Sequence, residues 1–117
     1  MTSRWPLALW AAVLAACLLA HSASAARTYE GEEAAALRCA NMLALTAVAL
    51  AGVELIGNQE KEVMLGVTVL ILERHVSGTW RQKKAALEIV RDRRSFPDTL
   101  EDYRRNAARC LAQFPIN

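Results

Sequence analysis

The chain has 117 residues, 54% apolar and 22% charged, where an ordinary globular domain is about 45–50% apolar. Fourteen Lys and Arg against twelve Asp and Glu leave a net charge of +2, too little to point to nucleic acid. Three Pro and five Gly exclude a collagen-like or Pro-rich linker chain, and the length holds one domain.

Residues 1–25 read as a cleaved export signal. Arg4 and the amino terminus form a short basic region, Leu7 to Ala20 is continuously apolar, and a small-residue end follows at His21-Ser22-Ala23-Ser24-Ala25. Ala23 and Ala25 suit a signal peptidase, and the apolar stretch falls short of the roughly 20 residues that span a bilayer. Leu14-Ala15-Ala16-Cys17 also resembles a bacterial lipobox, so a lipoprotein anchored through Cys17 is the alternative. Soluble export is preferred because Leu18, Leu19 and Ala20 continue the apolar stretch beyond Cys17. Either route places the chain outside the cytosol, periplasmic or secreted. Cys39 and Cys110 are then an even pair in an oxidising compartment and are expected to form a disulfide.

Residues 26–117 read as a single all-α domain of four helical segments. The first runs from about Thr28 to Ile56, with a break allowed near Arg38, and is closed by Gly57-Asn58. The second spans Gln59 to Val76. Its stretch Val63 to Leu72 is rich in β-branched residues, so a buried strand competes, but no second strand is available to pair with it. The third begins at Thr79, which forms a capping box with Gln82, and continues to Arg94. For the fourth, Asp98 is the expected N-cap with Glu101 at N3, and Pro115 lies beyond its end.

Joints this short favour antiparallel neighbours and an up-down-up-down four-helix bundle. At the helical rise, Cys39 and Cys110 lie roughly 27 and 18 Å from the same end of such a bundle. A disulfide there fits the topology. In the fourth segment Leu100, Tyr103, Ala107, Cys110, Leu111 and Phe114 form one apolar stripe. From Met42 to Val53, by contrast, Thr46 is the one polar side chain, so the first helix is either wrapped by protein or meets a partner.

Sites for chemistry are sparse. His75 lies near the end of the second helix, where a cation suits the dipole, with no nucleophile motif to serve. No Cys-x-x-Cys-His, His-x-x-x-His or Glu-x-x-His spacing occurs. Met42, Met64 and His75 have the donor types of a copper set, but methionines at helical spacing read as core filler. No catalytic residue, metal or cofactor is expected. Glu54 breaks the apolar first helix near its end, and reads as exposed or paired with Lys61 rather than as a buried functional carboxylate.

Charge is segregated: residues 27–62 carry three basic and six acidic side chains, residues 74–117 ten basic and five acidic. Arg81, Lys83, Lys84, Arg91, Arg93 and Arg94 crowd the third segment. They read as a solvated face, and Arg81, Lys84, Arg91 and Arg94 as a basic face able to meet an acidic partner or an anionic membrane surface. No aromatic residues interleave with these cations for base stacking, so nucleic acid is not an expected partner.

In length, helicity and cysteine count alone the chain resembles small exported helical proteins with one disulfide, such as secretion-system pilotins and periplasmic acid-stress chaperones. The expected function is that of a non-enzymatic interaction protein, docking a protein partner or its own copy through Leu45, Val48, Val67, Val69 and Leu72. The alternatives are a carrier of a small apolar ligand or lipid in the bundle core, or a lipid-anchored pilotin-like or chaperone-like adaptor.

Overall fold

A computed structural model describes residues 27–117 of the chain. The export segment, its Ala25 cleavage point and the Cys17 lipobox lie outside the described residues. Those residues form four helices and no strand: α1 (Gly31–Gly52), α2 (Asn58–His75), α3 (Trp80–Arg93) and α4 (Phe96–Gln113). The fold is an all-α helical bundle, and residues 63–72 are helical in full. Their β-branched side chains have no partner strand, and burial against α1 outweighs their intrinsic preference.

α1 is the central helix, with α2, α3 and α4 each packed against it. Ser77, just past α2, meets Glu33 in the first turn of α1, so α2 runs antiparallel to α1. Cys110 near the end of α4 is joined to Cys39 in the first half of α1 by a disulfide, Cα–Cα 5.6 Å. Around these ties Leu37, Met42 and Leu43 of α1 pack with Ile71 and Leu72 of α2 and Val76 at its C-cap, Ala86 of α3, Cys110 of α4 and Phe114 at its C-cap. The composition of α1 also makes it long and apolar enough to cross a membrane, but half of its most apolar window is buried inside the bundle.

Helix ends follow local chemistry, in several places differently from expectation. α1 starts at Gly31 rather than Thr28 and continues unbroken past Arg38. It stops at Gly52, earlier than Ile56, in a Schellman turn. The Leu55 N–H donates to Leu50 O at 2.9 Å and the Glu54 N–H to Ala51 O at 3.1 Å. The left-handed residue of that turn is Glu54, φ 60°, not Gly57. Gly57 is instead extended and serves as N-cap of α2. At α3 the capping box is present in both directions, Gln82 N–H to Thr79 Oγ1 at 3.2 Å and Thr79 N–H to Gln82 Oε1 at 2.9 Å.

At α4 the N-cap is Ser95, whose hydroxyl accepts from the Asp98 N–H at 3.2 Å; it is not Asp98. Pro97 thereby falls in the first turn, where its missing N–H costs no helical bond. Glu101, expected at N3, lies further along the helix and binds Arg104 and Arg105, at 2.8 Å each.

Candidate functional site

The hairpin joining α1 and α2 extends beyond the packed core. The last buried residue of α1 is Ala47 and the first of α2 is Thr68. Between them apolar side chains reach the surface, with Val48 55%, Val53 66%, Leu55 73% and Val63 62% exposed and Leu50, Ile56, Met64 and Leu65 only partly covered, on either side of Glu54 and the polar run Asn58 to Glu62. The arrangement follows from helix lengths. α3 has 14 residues, so it is about 21 Å long at 1.5 Å per residue, whereas α1 with 22 is about 33 Å. The recess that Ile89, Val90 and Arg93 share with Ala34, Leu37 and Arg38 places the shorter third helix beside the first half of α1.

Of the five residues expected on an interaction surface, Val48 and Val69 are exposed and Leu45 and Val67 are half-buried. Leu72 is corrected: at 3% exposure it is part of the core and supports the surface from beneath. A helix that is apolar all round gives no amphipathic direction, so the sequence did not say which side turns inward. The exposed residues Val53, Leu55 and Val63 extend the surface and were not among those singled out.

Arg81, Lys84, Arg91 and Arg94 are all exposed. They are not equally free. Arg91 pairs with its neighbour Asp92 at 3.2 Å. Arg94 holds both oxygens of Asp102 on α4, Nε to Oδ2 at 2.7 Å and Nη2 to Oδ1 at 2.9 Å. Lys83, grouped with the solvated cations by composition, is buried and sets its ammonium 5.4 Å from the Trp80 ring centroid. On α4 the Arg104 hydrogen bond holds the Glu101 carboxyl below its ordinary range and raises Arg104.

Along the stripe expected on α4, Cys110 and Phe114 are buried, Tyr103 packs against the core, and Leu111 faces solvent. His75 has a structural role. Its Nε2 donates to Pro115 O at 2.7 Å, and its ring meets Phe114 edge-on, centroids 5.4 Å apart. The ring thus fastens the end of α4 to α2. Glu54 is exposed. No cluster of three or more His, Cys, Asp or Glu suited to a metal occurs among the described residues.

One grouping was missed from the sequence. A recess of about 380 Å³ between α1, α3 and α4 includes Arg38, Arg94 and Arg109 in its lining. A second, of about 230 Å³, includes Arg27, Arg38, Arg93 and Arg94. A signal did exist: Arg38 and Arg109 each directly precede one of the bonded cysteines, so closing the disulfide brings both arginines to one place. The chain matches no protein-family model, no curated protein and no solved structure.

Proposed function

We propose that the protein is an exported, non-enzymatic helical docking protein that binds a second copy of itself through the apolar end of its α1–α2 hairpin. The observation that carries this reading is the absence of any buried residue from Val48 to Val67, in a stretch that includes Val48, Val53, Leu55 and Val63. Large apolar side chains exposed this close together support an interaction site, with Glu54 and the polar run Asn58 to Glu62 as its rim. Two-fold self-association covers it with an identical surface and requires no other component. The Cys39–Cys110 disulfide is compatible with an extracytoplasmic location, and the composition of residues 1–25 supports export to the periplasm or beyond.

Sedimentation velocity of the chain from Ala26 onward, over a wide concentration range, tests the reading. A concentration-dependent dimer is expected. Combining Val48→Glu with Val63→Glu should weaken it by about tenfold or more, since two charges would be desolvated at the contact, while helical circular dichroism stays unchanged. A single monomeric species at every concentration overturns the proposal.

A further inference from the structure

The recess between α1, α3 and α4 and the one between α1, α3 and residues 27–29 share Arg38, Val90 and Arg94 in their linings, so they adjoin as one depression. It lies against residues 34–42 of α1, away from the hairpin end that begins at Val48. Its charge is unusual for this molecule. Five arginines line it, and Asp102 is the one carboxylate among the lining residues. Asp102 is already taken, bidentately, by Arg94. Arg27 is engaged with Ser77 Oγ at 2.7 Å and lies over the Tyr29 ring. Arg38, Arg93 and Arg109 form no ion pair among the described residues, and residues 1–26 contain no Asp or Glu to supply one. Elsewhere Arg91 pairs with Asp92, and Arg104 and Arg105 share Glu101, while Arg74 and Arg81 stand singly without an ion pair among the described residues.

Guanidinium groups keep their charge at every working pH, so gathering them raises the energy of the vacant depression, and an anion lowers it. Their fork geometry suits a carboxylate or a phosphate monoester. Apolar side chains lie among them, Leu37 of α1 with Ile89 and Val90 of α3, then Met42 and Phe114 in the larger recess, whose lining also includes Asn41, Thr99, Asn106 and Gln113. The larger recess alone falls within the range of about 300–1,000 Å³ occupied by small-molecule sites. A bare inorganic anion would leave those apolar side chains unused, and a neutral lipid would leave the arginines unpaired.

We propose that this depression binds a single-chain anionic amphiphile, its carboxylate or phosphate monoester head held by Arg38 and Arg93 and its alkyl chain lying along Ile89 and Val90 towards Phe114. The site is separate from the hairpin surface and does not depend on self-association.

The test is a nuclear magnetic resonance titration of the ¹⁵N-labelled, disulfide-intact chain. Dodecanoate and dodecyl phosphate are each added below their critical micelle concentrations. Inorganic phosphate supplies the head alone and dodecyl maltoside the chain alone. Saturable shifts are expected at Ala34, Leu37 and Val90 with both anionic amphiphiles, and the tighter of the two names the head group. Phosphate and the maltoside should each bind at least about tenfold more weakly, because each forgoes one of the two kinds of contact. Arg38→Gln combined with Arg93→Gln should cost about tenfold or more in affinity with unchanged helical content. Shifts confined to Val48–Val67 overturn the proposal, as does equal binding by the maltoside or undiminished binding by the double variant. Shifts at the same amides with a Glu-rich peptide but not with dodecanoate overturn it in favour of an acidic protein segment.

Discussion

The Glu33 carboxylate accepts both the backbone N–H and the hydroxyl of Ser77, each at 2.6 Å, across 44 residues of sequence. The same joint is held twice more, since Arg27 donates to Ser77 Oγ and the Tyr29 hydroxyl donates to Ser77 O, both at 2.7 Å. Every polar group of Ser77 is thereby used. The first turn of α1 becomes the anchor for the α2–α3 joint, with the carboxylate also well placed for the positive end of the α1 dipole.

This anchor makes stability depend on acid. The Ser77 hydroxyl and N–H bonds, more than the nearby Arg27 and Lys83 charges, hold the Glu33 carboxyl below its ordinary value of 4.5. A carboxyl depressed in the folded state contributes stability that is fully present above the unfolded value and is lost as pH falls through the folded one. Thermal midpoints measured from pH 7 down to pH 3 should therefore fall on the acid side. In Glu33→Gln, which keeps an acceptor but no charge, that fall should be shallower. Superimposable acid limbs for the two proteins would refute the assignment.

How much of this was legible depended on how local the signal was. The capping box of Thr79 and Gln82 spans three residues and stands in the sequence as it does in the fold. The Cys39–Cys110 bond followed from parity and from comparing heights along a bundle. The α4 start was harder, because Ser95 and Asp98 are both good caps on either side of Pro97, and the choice rests on which N–H groups point outward. The stop at Glu54 was not readable, since nothing in a glutamate marks a left-handed residue. Leu72 was placed on a surface because α2 is apolar on more than one side, and only the packing of α1 decides between them. The arginine-lined depression needs three helices brought together before it exists.

The reassigned cap at α4 gives a direct comparison. Ser95→Ala removes the hydroxyl that accepts the Asp98 N–H and should cost about 1 kcal/mol. Asp98→Ala leaves that bond intact and removes only a favourable first-turn charge, roughly 0.3 kcal/mol for an exposed group. For a domain of this size the serine variant should melt about 4–8 °C lower, and the aspartate variant within a degree or two of the parent by the same scaling. The reverse order would return the N-cap to Asp98.

The disulfide is the remaining long-range tie, and it fastens α4 to α1. α4 meets the bundle chiefly through α1, with His75 holding its far end. Cys39 and Cys110 are 71 residues apart in sequence, and both are buried. Crosslinking a loop of that length restricts the unfolded chain by about 4 kcal/mol in the chain-entropy treatment. Small domains have only about 5–15 kcal/mol of net stability, so the bond is a large share of it. Cys39→Ala combined with Cys110→Ala should lower the denaturant midpoint accordingly. Hydrogen exchange should rise first at the amides of α4, before those of α1 and α2, because the loss frees α4 while the α1–α2 packing persists. Alkylation under denaturing, non-reducing conditions should label neither cysteine in the native protein. Two labelled thiols in protein recovered from its native source, or a double variant as stable as the parent, would show that the helix packing holds α4 without the bond.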